Sequence, residues 1–256
     1  MARVFDTRRK RIPRSRHMVG LLLDEHMKMP ICGHDRVIDL SQLAEARRES
    51  SVRVSWPILF TKAYSIVSAA NPVLRQWYQA FPRPHLGESP DVVAMVAVTR
   101  EYLDQEWLFF ARFDRPEQQS LAALQERLDL YQNDPVEVAF RTQARFSIYP
   151  RWLRKAVFWG KLNLSGNRRI KRFGTFGLTT ISGAGATIQT PPTANTSAIT
   201  YGPMDESQRS VVTIGYDHRL MDGMTVARFL QELDEALHGP ILREMTELAG
   251  PAGSND

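Results

Sequence analysis

The stretch Asp217-His218-Arg219-Leu220-Met221-Asp222-Gly223 sets a histidine four residues ahead of an Asp-Gly pair. It joins two segments of different periodicity. Before it, Val211-Val212-Thr213-Ile214-Gly215-Tyr216 is an apolar, β-branched run that reads as a strand. After it, Val226, Leu230, Leu233 and Leu237 fall at i, i+4, i+7 and i+11, one face of a helix that begins near Met224. An imidazole on a strand end is held on a rigid edge and titrates near neutrality, as acid–base chemistry requires. The aspartate can fix the turn, and glycine lets the backbone bend. The competing reading is a surface histidine in a turn that happens to precede an acid.

Working outward, Ser55 to Ala70 reads as a helix: Ser55 is a good N-cap, Pro57 suits the first turn, and Leu59, Ala63, Ile66, Val67 and Ala70 share a face. Asn71-Pro72 ends it. A turn-rich segment, Phe81 to Gly87, leads to a buried-strand candidate over Asp91 to Val98, and Glu106 to Phe113 reads as another strand. Ser120 to Tyr131 is a helix with Leu121, Leu124, Leu128 and Tyr131 inward. Helical character continues over Pro135 to Arg145 and Arg151 to Trp159. Phe176 to Ser182 and Ser197 to Tyr201 read as short strands joined by a Gly/Thr/Pro-rich connector. Gly239-Pro240 is expected to stop the helix after the motif, before a last short helix over Ile241 to Leu248. No internal repeat interrupts this order. The expectation is one α/β domain over residues 1–256, with a mixed sheet, a basic arm (about 1–16) and a polar tail (about 249–256).

Composition is that of a globular chain, 43% hydrophobic and 24% charged, with no apolar run long enough to span a bilayer and no signal-peptide pattern. Cys32 is the only cysteine, which excludes an intramolecular disulfide framework and suits a reducing, cytoplasmic setting. No activating neighbour makes Cys32 a nucleophile. Net charge is +5, but residues 141–172 hold ten basic side chains and no acid, which leaves the remainder at −5. Arg151, Trp152, Arg154, Lys155, Trp159, Arg168, Arg169, Lys171 and Arg172 form a candidate surface for an anionic membrane or an acidic partner. The competing reading is a solvated helix face over core aromatics. No nucleic-acid module accompanies these residues. Metal binding at His218 and Asp222 would need a further ligand that no neighbouring residue supplies at a ligand-like spacing.

Val212 to Leu230, with its Asp-His-Arg-x-x-Asp-Gly, resembles the C-terminal signature of the acyltransferase (E2) catalytic domains of 2-oxo acid dehydrogenase complexes. Chloramphenicol acetyltransferase has a related motif. Gly174-Thr175-Phe176 followed by Thr180-Ile181-Ser182-Gly183 is similar to the family's Gly-Thr-Phe-Thr-Ile-Ser run. His17 to Pro30 followed by Val37-Ile38-Asp39 resembles its opening helix and first strand. The resemblance implies a two-layer, chloramphenicol acetyltransferase-like α/β sandwich in a single domain. It implies an acyltransferase that moves an acyl group between coenzyme A and a thiol or other acceptor. His218 would be the general base and Ser182 the donor that steadies the oxyanion. Asp222 would brace the histidine loop by pairing with Arg14 or Arg16; Asp217, Arg219 and Gly223 would support the loop.

The resemblance further implies a homotrimer in which histidine and serine come from adjacent subunits, with coenzyme A or acyl-CoA as substrate and no metal. The chain carries no lipoyl module with its Asp-Lys-Ala site and no subunit-binding domain, so no lipoate is attached and a lipoyl or acyl carrier domain would act in trans. The family's Pro-His is Pro30-Ile31 here, and its Ser-Asn or Ser-Ser is Ser182-Gly183; both leave the acceptor open. The polar tail points to a trimer and not a larger cage. Two other readings stand beside this one: the same fold acylating an amine, hydroxyl or lipid-like acceptor at a membrane surface, and a non-catalytic trimeric scaffold that binds an acidic partner. Arginine outnumbers lysine 27 to 6, which fits a GC-rich bacterial source.

Overall fold

Alternating apolar runs build a six-stranded mixed sheet in the computed structural model, which describes residues 9–249. Its strands are β1 (Ile31–Asp39), β4 (Val93–Glu101), β5 (Glu106–Asp114), β6 (Phe176–Leu178), β7 (Ser197–Tyr201) and β8 (Arg209–Asp217), in the order β1-β8-β7-β6-β4-β5. β6 runs parallel to both its neighbours, and every other pairing is antiparallel. β2 (Gln76–Gln79) and β3 (His85–Glu88) form a separate hairpin out of the turn-rich segment. Residues 1–8 of the basic arm and the tail beyond 249 lie outside the described residues.

Period-2 alternation sorts the strand side chains to two faces. Val96, Phe109, Phe176, Ile199, Ile214 and Tyr216 point into the main core. There they meet α2 (Ser41–Glu49), α3 (Trp56–Ala70), α4 (Leu121–Asn133), α9 (Gly223–Ala236) and α10 (Leu242–Ala249). α3 is buried nearly all round, its polar Thr61, Lys62, Ser65 and Ser68 included, and runs through this layer. α4 starts where the sequence places it, with the Ser120 hydroxyl accepting from the Ala123 amide at 3.2 Å. The opposite face carries a smaller core, in which Leu21 and Leu22 of α1 (Arg16–His26) meet Phe146, Phe158 and Phe173. These phenylalanines come from α6 (Arg141–Phe146), α7 (Arg151–Asn163) and α8 (Gly166–Phe173); a short α5 (Val136–Ala139) precedes them.

Three expectations need correction. Gly239-Pro240 does not stop the helix: a π turn over Leu237–Ile241 carries the chain straight from α9 into α10. A π turn widens the hydrogen-bonding ring, so a proline lacking its N–H is accommodated without a break. Packing then holds the continuation, because Met245 is buried and Glu244 accepts from the Leu121 amide at 2.6 Å. The strand expected over 176–182 ends at Leu178; Thr180 turns its hydroxyl onto the Tyr201 carbonyl and the chain coils into a short 3-10 turn at Ser182–Ala184. α2 and α8 have no counterpart in the sequence reading, since both are short and charged.

Candidate active site

β8 delivers the motif to one margin of the sheet. The Asp217 amide donates to the Thr196 carbonyl at 2.9 Å, and the His218 amide donates to the Pro30 carbonyl at 3.0 Å, so the backbone is pinned from both sides. Asp217 is buried, and Arg219 folds back onto it with its Nε at 2.9 and 3.1 Å from the two carboxylate oxygens. Arg219 Nη2 and the Arg219 amide also donate to Asp217, at 2.5 and 3.0 Å, and the guanidinium lies 4.3 Å from the Tyr78 ring centroid. The pair locks the turn and aims neither charge at solvent chemistry. Tyr78, on β2, is a site neighbour that sequence reading missed, because nothing in a hairpin tells where it docks.

The His218 side chain is 44% exposed and its Nδ1 stands 3.8 Å from Asp222 Oδ1. That gap is too long for a hydrogen bond. Nε2 makes no hydrogen bond among the described residues and is open to a substrate. Asp222 sits at the N-cap position of α9, where its carbonyl accepts from Thr225 and Val226, and its side chain is 85% exposed. Gly223 sits against His34: a Cβ there would stand 2.8 Å from His34 Nε2, so the ring or the helix start would have to shift. His34 in turn packs on Tyr216, with ring centroids 5.4 Å apart, and Tyr216 packs on His218 at 5.6 Å. Burial, then Cys32 and Asp222 nearby, pushes the Tyr216 phenol up, so it stays protonated behind the histidine.

Ser182 lies elsewhere. Its amide donates to the Thr180 hydroxyl at 3.1 Å, and it sits beside the Tyr201 phenol, which burial pushes up while hydrogen bonds from Ser182 and Thr180 partly offset the shift. Register fixes where this is. Tyr216 pairs with Ser197, whereas Val212 pairs with Tyr201. The two levels are four residues apart, roughly 13 Å at strand rise, and His218 and Ser182 extend beyond them in opposite directions. Within one chain the two residues therefore stand at opposite margins of the sheet.

Arg14 and Arg16 do not brace Asp222 within the chain. Arg14 donates to the Ser147 hydroxyl at 3.2 Å, and Arg16 is exposed at the start of α1. The basic stretch also divides. Arg154 and Arg169 are buried, not on the surface expected for them. Arg169 donates to the Ala194 carbonyl at 2.6 Å and lies over Trp77, and burial pushes it down to about 10. Arg151, Lys155, Arg168 and Lys171 are exposed, as is Trp152 at 71%, while Trp159 is partly covered by Phe81. No described helix is long and apolar enough to cross a membrane.

Residues 177–245, which carry the motif, match the family model of the 2-oxoacid dehydrogenases acyltransferase (catalytic domain). Among solved structures, the chain is similar to a truncated catalytic core of the 2-oxoacid dehydrogenase multienzyme complex from Thermoplasma acidophilum. The TM-score is 0.66 at 13% identity, over 92% of this chain and 99% of that one. It is similar to Azotobacter vinelandii dihydrolipoamide acetyltransferase, in a structure that addresses the roles of a serine, a histidine and an asparagine in catalysis. There the TM-score is 0.64 at 17% identity, over 94% and 99% of the two chains. A chloramphenicol acetyltransferase matches at TM-score 0.53 and 10% identity, over 89% of this chain and 96% of that one. No curated protein sequence matches the chain significantly. The fold is the one these proteins share, and the resemblance read from the sequence is borne out.

Proposed function

We propose that this chain is an acyltransferase that moves an acyl group between coenzyme A and an acceptor thiol, working as a homotrimer with its sites between adjacent subunits. The observation that carries the reading is the separation of His218 from Ser182 within one chain, each exposed enough to meet a neighbour's partner residue. In a cyclic trimer the two margins of the sheet face different neighbours, so each interface can join one histidine to one serine.

The chemistry follows from the two side chains. His218 Nε2 takes the proton of the acceptor thiol. With reference pKa values of about 8.5 for the thiol and about 6.5 for imidazole, that transfer is uphill by roughly 2.7 kcal/mol, well within reach of a positioned base. The thiolate attacks the carbonyl carbon of the acyl thioester, and the carbonyl oxygen becomes an oxyanion to which the Ser182 hydroxyl donates. As the carbon–oxygen double bond reforms, the coenzyme A thiolate leaves and takes the proton back from the imidazolium. A lipoyl or acyl carrier domain acting in trans would suit the acceptor role.

Complementation tests this reading. His218→Ala and Ser182→Ala should each lower turnover of acyl-CoA with dihydrolipoamide by at least ~10²-fold. Chains of the two variants, unfolded together and refolded as mixed trimers, should regain up to about one quarter of wild-type activity, because one interface in four then unites an intact histidine with an intact serine. No recovery in mixed trimers would show that the two residues do not share a site.

A further inference from the structure

We propose that the cavity between the sheet and helices α1, α7 and α8 binds a short-chain aliphatic carboxylate, with the Arg172 guanidinium as its anchor. The cavity holds about 60 Å³. A single water needs on the order of 10–15 Å³, so the space suits a chain of about four to six heavy atoms. Its walls are mostly apolar, with Met18, Leu22, Phe110, Phe158 and Phe173 among them. His218, Asp222 and Ser182 are not part of its lining, and the proposal stands apart from the acyl-transfer reading.

Among the buried side-chain polar atoms of the wall, one stands out as unpartnered. The Gln143 amide bonds the Phe110 backbone in both directions, at 3.1 and 2.8 Å, and the Asn195 amide donates to the Phe173 carbonyl at 2.9 Å. Arg172 Nη2 is buried and has no partner, alone among the buried side-chain polar atoms of this lining. No carboxylate among the described residues pairs with it, and the sequence from 141 to 172 contains no acid. Lys161 crowds it instead. The two cations lie 5.7 and 5.9 Å from the same Phe146 ring. Burial alone pushes Arg172 down to about 10, and burial with Arg172 beside it pushes Lys161 down.

A buried cation without a counter-ion is costly, and a carboxylate offers a guanidinium two parallel charge-assisted bonds. An aliphatic tail fits the apolar walls. Both halves of the lining thus call for the same kind of molecule: one negative charge at the end of a short hydrocarbon chain.

Calorimetry on the full chain decides it, with butanoate, butanamide and inorganic phosphate as probes. Butanoate is expected to bind saturably, one per chain, with butanamide and phosphate each at least ~10-fold weaker, since the one lacks the charge and the other the chain. Arg172→Met should weaken butanoate at least ~10-fold and, without ligand, melt higher than wild type, because it removes an uncompensated buried charge. Arg172→Lys, which keeps the charge, covers the case in which Arg172→Met fails to fold, and should retain part of the affinity. Absence of saturable butanoate binding overturns the proposal. So does equal binding of butanamide, binding of phosphate as tight as butanoate, or a lower melting temperature in Arg172→Met, which would mark the guanidinium as structural.

Discussion

At the scale of single residues, the division of labour rests on what each side chain still has free. Asp217 and Arg219 are held to one another. His218 has an unoccupied ring nitrogen and a carboxylate 3.8 Å behind the other one. In the proposed reaction Ser182 would act only once charge develops on a carbonyl oxygen, so its removal should be felt in the transition state. We expect Ser182→Ala to lower kcat by ~10²–10³-fold while the dissociation constant for coenzyme A, measured by calorimetry, changes less than about threefold. A comparable loss of coenzyme A affinity would place Ser182 in binding instead. The residues proposed to carry the chemistry are legible in the sequence because their types and order carry the resemblance. The buried arginines were not. A guanidinium can stack on Trp77 and bond a carbonyl as readily as it can face water, so the count of charges over 141–172 did not reveal that Arg154 and Arg169 turn inward.

Among elements, helix faces were readable from periodicity, whereas the joints between elements were not. Val226, Leu230, Leu233 and Leu237 are buried as their spacing requires, yet the π turn at Leu237–Ile241 hides Pro240 inside a continuous helix. The Asp-Gly pair ahead of α9 was legible as a turn, but the reason for glycine is tertiary: His34 of β1 occupies the space a Cβ would take. Gly223→Ala should therefore force α9 or His34 to shift, costing about 1–3 kcal/mol of stability as overpacking. Adding His34→Ala should return part of that loss, read as a coupling energy in denaturant melts of the single and double variants. Strict additivity of the two substitutions would mean that the crowding is not what fixes glycine there.

The molecule as a whole is two layers that meet across one sheet, and the second layer is anchored at its start by His17. Burial first, then the charge of Arg154, holds His17 below its ordinary value; Ser147 is its backbone neighbour. In the unfolded chain the ring binds a proton near pH 6.5, and in the folded chain only below that. Between those two points the unfolded state carries more protons, so stability is full above pH 6.5 and falls as pH drops through the window. Urea midpoints should decline from pH 7.5 to 5.5, and His17→Gln should flatten the decline. An equally steep decline in the variant would assign the pH dependence to other groups.

Residue order alone determined the α/β class, the main strands and helices, the family resemblance and the identity of the candidate base and oxyanion donor, because these depend on local periodicity and on side chains at fixed spacing. Tertiary structure decided where those side chains stand. Strand register carries Ser182 and His218 to opposite margins of one sheet, and packing turns a run of surface-like cations into a wall with an unpaired guanidinium. Neither outcome is written in local spacing, since both arise from which segments meet across hundreds of ångströms of chain folded into one core.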